Sequence, residues 1–109
     1  MPQRRAERVR FQTAMPVGFV GGNEHFVASL SEFSPFGLSV KTPQSVTPGA
    51  VVRLGIKVDA DYFRAAAVVR ARFSDGFAVE FLSMTSMDRE LLRRIYLRLQ
   101  RVNPPLTPK

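Results

Sequence analysis

Two short segments of this chain carry residues with chemistry to offer. Arg4 and Arg8 bound an Arg-x-x-x-Arg series at the extreme N-terminus, with Arg5 between them. A guanidinium is planar and permanently charged. Its fork makes two parallel hydrogen bonds to phosphate oxygens or to the O6/N7 edge of guanine, and its flat face stacks on bases. In an irregular arm, a separation of four lets both side chains converge on one ligand. One hairpin's worth of chain later, Glu32-Phe33-Ser34-Pro35-Phe36-Gly37 supplies a carboxylate, a small hydroxyl and a residue without Cβ. The carboxylate of Glu32 can accept from N1–H and N2–H₂ of guanine. Ser34 offers a hydroxyl to a phosphate or base edge. Gly37 lets a ligand or another backbone segment approach closely.

Each segment alone has an ordinary reading. Basic N-terminal tails are commonly just solvated, and Ser, Pro and Gly cluster in turns. Their order, their separation and the strand pattern that follows are more specific. From Arg4 to about Gln100 the chain resembles the PilZ domain, a bacterial receptor module for the second messenger cyclic di-GMP. Family members carry R-x-x-x-R on an N-terminal arm and (Asp/Asn)-x-Ser-x-x-Gly on a strand. Here the first motif is complete. The second keeps Ser34 and Gly37, with Glu32 at the Asp/Asn position. The resemblance implies that Arg4, Arg5, Arg8, Glu32, Ser34 and Gly37 bind cyclic di-GMP. It also implies that binding orders the arm and that the signal passes to a partner protein.

The remaining composition narrows the classes. At 109 residues the chain has the size of one domain, and 45% hydrophobic content with nine Phe is enough for one core. Without cysteine there are no disulfides, no thiol catalysis and no zinc site of the Cys type. His25 is the sole histidine, too few for a histidine metal cluster. No catalytic constellation can be assembled, so an enzyme is not expected, and neither is a cofactor or metal. No apolar run approaches the roughly 20 residues of a membrane span. The basic N-terminus has no apolar core of a secretory signal, so a cytoplasmic location is expected. The net charge of +7, with thirteen of sixteen basic residues arginine, attracts anionic partners of several kinds.

The elements that must position these residues are mostly strands. Residues 1–8 read as a flexible basic arm. Arg8 to about Val20 reads as one long or broken strand, with Pro16 bending it or placing it at an edge. Phe26, Ala28 and Leu30 alternate with Val27 and Ser29, then Phe36, Leu38 and Val40 alternate with Gly37, Ser39 and Lys41 after a bend at Ser34-Pro35. Val52 to Val58 and Phe63 to Phe73 alternate most cleanly, and Phe77 to Phe81 follows a Ser74-Asp75-Gly76 hairpin signal. Six strands with short turns predict a mainly β fold, a small six-stranded antiparallel barrel.

Thr85-Ser86-Met87-Asp88 resembles a capping box and starts a C-terminal α-helix at about 85–102. Its apolar stripe is Met87, Leu91, Ile95, Leu99 and Val102, and its arginines are expected to be solvated. Asn103-Pro104-Pro105 ends it, and 103–109 reads as a disordered tail. The barrel and helix thus span 9–102.

Two other functions compete. A barrel of this kind that binds no nucleotide would act as a protein interaction module. A small basic barrel can also bind nucleic acid, but the Phe residues fall on the core-facing period and offer no stacking platform. Asp59 and Asp61 form a near-pair and read as solvated turn residues.

Overall fold

Two three-stranded meanders, each made of chain neighbours, meet along both edges and close a six-stranded antiparallel barrel. The computed structural model describes residues 9–10, 15–21 and 24–102. A two-residue strand, β1 (Val9–Arg10), comes first. The first meander is β2 (Pro16–Gly21), β3 (Glu24–Ser34) and β4 (Gly37–Lys41). The second is β5 (Val51–Val58), β6 (Asp61–Phe73) and β7 (Gly76–Phe81). Two ladders between sequence-distant strands join the halves. In one, β2 meets β5 through Gly18↔Gly55, Phe19↔Leu54 and Val20↔Arg53. In the other, β4 meets β7 from Gly37↔Glu80 to Lys41↔Gly76. The segment expected as one long or broken strand is broken. Its pieces, β1 and β2, both pair with β3, and Pro16 opens β2, where a missing N–H costs least.

Period-2 alternation turns one side chain in two inward. Val17, Phe19, Leu30, Val40, Leu54, Ile56, Phe63, Val69, Phe77 and Val79 are among the buried set. Aromatic rings fill both ends. Phe19 stacks on Phe26 at 5.2 Å and meets Phe77 edge-on at 5.2 Å. At the other end Phe33, Phe63, Phe81 and Tyr96 cluster with centroids 5.5 to 6.4 Å apart. Tyr96 belongs to the helix, α1 (Ser86–Val102), which covers that end with Leu92, Ile95 and Leu99 buried.

The helix starts where its cap predicts. The Asp88 N–H donates to Thr85 Oγ1 at 3.0 Å, and the Thr85 N–H donates to Asp88 Oδ2 at 3.1 Å. This reciprocal pair satisfies donors the first turn cannot bond internally. Met87, expected in the apolar stripe, is instead 82% exposed. The helix arginines are exposed or partly exposed, and two of them also make ion pairs. Arg94 bonds Asp61 at 3.5 Å, and Arg98 bonds Asp59 at 3.2 Å and Asp61 at 3.5 Å. Asp59 and Asp61 are therefore not simply solvated turn residues, for they tie the helix to the β5–β6 turn.

The β6 alternation breaks at a bulge between Val69 and Ala71. Arg70 and Ala71 oppose the single residue Ala78, so the phase reverses beyond them. Phe73, expected in the core set, is half exposed, and Phe36 is exposed at the β3–β4 turn. The expectation that the Phe residues all face the core is corrected at these two positions. Residues 1–8, with the expected arm, and 103–109, with the expected tail, lie outside the described residues. Among those described, no helix is long and apolar enough to cross a membrane.

Candidate ligand-binding site

The β3–β4 hairpin holds the carboxylate–serine–glycine series at the seam between β4 and β7. Register places its members on one face. Glu32 opposes Ser39, Ser34 opposes Gly37, Gly37 opposes Glu80, and Ser39 opposes Ala78. Directly opposed residues of an antiparallel pair share a side of the sheet. The intervening Phe33, Leu38 and Val79 are buried, so this series faces outward. It lines a recess of about 250 Å³ with Phe36 and Arg70 on its border.

Ser34 and Gly37 have structural duties within that recess. The Ser34 hydroxyl accepts from the Phe36 N–H at 3.2 Å and donates to the Gly37 carbonyl at 3.3 Å. Its proton is committed to the turn, and a further lone pair is what it can offer outward. Gly37 makes room for backbone. A Cβ at this position would overlap the Val79 carbonyl oxygen and press on Glu80 Cα at 3.2 Å. The close approach that glycine permits here is that of β7.

Arg70 is a member that motif reading missed. The β6 alternation sets it outward beside the recess, just before the phase change, and there Arg70 Nε donates to Glu80 Oε1 at 2.7 Å. Its outward setting on β6 is legible in the alternation. The 74–76 hairpin signal puts β7 alongside, but that the serine–glycine turn lies across it is not legible, because the β4–β7 ladder joins distant segments. Both partners remain well exposed, at 62% and 41%. Such a pair contributes on the order of 0–1 kcal/mol to stability, and its weight here is local charge balance.

Arg4, Arg5 and Arg8 lie outside the described residues. What is described is their attachment point. Val9 pairs with Phe33 and Arg10 with Glu32, so the chain that follows Arg8 runs antiparallel to the motif strand on its free edge. Among the described residues no group of three His, Asp or Glu side chains is placed to hold a metal ion.

Comparison with known proteins matches this geometry. The family model described as "PilZ domain" fits residues 2–98. The fold is similar to the PilZ domain of YcgR from Escherichia coli, whose structure is described as containing c-di-GMP. Identity is 15%, the match covers 93% of this chain and 94% of that one, and the TM-score is 0.76. It is similar also to the PilZ domain of CeSA from a cellulose-synthesizing bacterium, with 14% identity, 87% and 99% coverage and a TM-score of 0.72. A third similar structure is the Bacillus subtilis inhibitor of motility MotI/DgrA, at 21% identity and TM-score 0.71. The match covers 94% of this chain and 54% of that one. No curated protein matches the chain by sequence. At these identities the structural likeness speaks for the barrel, and the family model speaks for the sequence that builds it. With motif hairpin, two-meander barrel and capping helix all in place, the chain belongs to the PilZ domain family.

Proposed function

We propose that the protein is a cyclic di-GMP receptor that binds the dinucleotide without turning it over and relays the signal to a partner protein. The observation that carries this reading is the convergence of Glu32, Ser34 and Gly37 on one outward recess, beside the edge where β1 joins β3. The recess is smaller than the roughly 300–1,000 Å³ usual for ligand pockets. A second wall is therefore needed, and in this reading the arginine segment that precedes β1 in the sequence supplies it. Arg8 immediately precedes Val9, whose register partner Phe33 lies between Glu32 and Ser34. In this reading Arg4 and Arg8 stack on guanine and grip phosphate, Arg5 adds charge, and Glu32 accepts from the guanine edge. Ordering of the arm on the ligand is the switch. The similar YcgR domain, described with c-di-GMP, supports the choice of ligand.

Charge balance also supports binding. Within the recess Arg70 offsets Glu80 and leaves one further carboxylate, Glu32. In this reading Arg4, Arg5 and Arg8, set against Glu7 of the same segment, add net positive charge for a doubly anionic ligand.

The test is a calorimetric titration of the full chain with cyclic di-GMP, repeated on Arg8→Ala and Arg93→Ala. Both variants lose one positive charge, but Arg93 sits exposed on the helix. Loss of one good bidentate contact costs about 1–3 kcal/mol, so Arg8→Ala should bind roughly 5- to 150-fold more weakly. Arg93→Ala should change affinity less than twofold. No binding by the unmodified chain at millimolar ligand would leave the interaction-module reading in its place.

A further inference from the structure

The other seam, between β2 and β5, carries a second and larger outward recess of about 760 Å³. Register defines its floor. Val27, Gly18, Gly55 and Arg64 form a row across β3, β2, β5 and β6, and the neighbouring row is His25, Val20, Arg53 and Ala66. Two glycines face one another in the middle of a surface that otherwise carries side chains, so the sheet is dented there. Tyr62 forms one wall. It lies so close over Gly55 that a Cβ there would overlap its hydroxyl, and the Arg64 guanidinium stands 5.4 Å from its ring centroid. Val27, at 68% exposure, forms the opposite wall.

The lining carries Arg53, Arg64 and one carboxylate, Asp88, whose Oδ2 accepts from the Thr85 N–H and which bonds neither arginine. Arg70, Arg94 and Arg98 each bond a carboxylate. Arg53 and Arg64 are exposed, and among the described residues neither has a carboxylate within ion-pair distance. An apolar dent with an exposed tyrosine and two arginines at its border has the composition of an interface hot spot.

We propose that this face docks an acidic segment of a partner protein that carries one aromatic or aliphatic side chain. That side chain sits over Gly18, between Val27 and the Tyr62 ring that already covers Gly55, and flanking carboxylates meet Arg53 and Arg64. Charge selects the occupant. A second copy of this chain would bring a net +7 of its own against two bare arginines. A nucleic-acid strand stacks successive bases on several exposed rings, whereas among the described residues that line this recess Tyr62 is the one exposed Phe or Tyr ring, Phe19 being buried and Phe26 half-buried. The proposal rests on the receptor reading only in treating the docked partner as the recipient of the signal.

Chemical-shift titration of the ¹⁵N-labelled full chain tests it. The probes are the pentapeptide Glu-Glu-Trp-Glu-Glu and its neutral counterpart Gln-Gln-Trp-Gln-Gln, each also added to protein saturated with cyclic di-GMP. The acidic peptide should move amides of β2, β5 and β6 around Gly18, Arg53 and Arg64. The neutral peptide should bind at least tenfold more weakly. Gly18→Leu should abolish the response by filling the dent from a position where the nearest heavy atom to a Cβ is 3.9 Å away. Arg53→Glu with Arg64→Glu should abolish it too, while Arg89→Glu with Arg93→Glu should leave it in place. Cyclic di-GMP affinity should stay within twofold in the Gly18 and Arg53/Arg64 variants. Shifts centred on the helix, undiminished binding by Gly18→Leu, or tighter binding of oligo-dT or anionic vesicles to the same amides would each overturn the proposal. Peptide docking without cyclic di-GMP binding would remove the receptor reading and leave the docking surface standing.

Discussion

The two outward recesses lie over the two seams of one barrel, and each is floored by glycine, yet the glycines answer different demands. Gly37 on the β4–β7 seam has no space for a Cβ, because the Val79 carbonyl occupies it. Gly18 on the β2–β5 seam has open space above it. Polar groups differ in the same sense. Around Gly37, Ser34 is bonded into its own turn and Arg70 is paired with Glu80. Around Gly18, Arg53 and Arg64 face solvent. A glycine in a binding motif is thus not by itself a sign of ligand approach. In this hairpin Ser34 and Gly37 first close the barrel, and whatever binds there uses a surface that folding already requires. At the other seam the fold tolerates a side chain, so the dent is a property of the surface.

Substitution at the two glycines should split most widely. Gly37→Ala forces β4 and β7 apart, and overpacking of this kind costs about 1–3 kcal/mol or more. Gly18→Ala adds a methyl where there is room and restricts the unfolded chain, for a gain of about 0.4–1 kcal/mol. Urea midpoints of the two variants measure both. Equal losses would erase the distinction between the seams.

Next in size is the effect of Glu32 on cyclic di-GMP affinity. If Glu32 accepts from guanine, Glu32→Ala leaves donors unpaired in a closed site, which costs about 1–3 kcal/mol, or tenfold and more in affinity. Glu32→Asp should bind at least as well as the unmodified chain. A tighter Glu32→Ala would mean that the carboxylate repels the phosphates, with the arginine assignments still standing.

The smallest effect sharpens the contrast in charge. Glu80→Gln weakens the hold on Arg70 and should tighten cyclic di-GMP about threefold. Because the pair is exposed, stability should move by less than about 1 kcal/mol. An unchanged affinity would place Arg70 outside the ligand's reach.

Local signals were readable in the sequence, and signals between distant segments were not. The helix start is set by four adjacent residues, and Thr85 and Asp88 bond as their spacing predicts. Strand alternation located every barrel strand, because period 2 needs no knowledge of partners. The bulge at Arg70 escaped it, since an extra residue shows only against the facing strand. For the same reason the Arg70–Glu80 pair and the carboxylates that receive Arg94 and Arg98 were invisible. Sequence placed Glu32, Ser34 and Gly37 in one segment, but that Gly37 makes way for β7 depends on a strand some forty residues away.

The barrel's assembly from two meanders has a further consequence for how occupancy is felt. Four of the six barrel ladders join chain neighbours and can zip from a turn. The β2–β5 and β4–β7 ladders cannot, and they carry the loop-closure entropy of the fold. A ligand held by Glu32 on one meander and Arg70 on the other spans the β4–β7 joint. Its binding free energy then opposes partial opening of the barrel at that joint as well as global unfolding. Amide hydrogen exchange along Gly37–Lys41 and Gly76–Glu80 should slow on ligand addition by more than exchange within the β5–β6 hairpin. A ligand bound across that joint would act as a clasp between the two meanders.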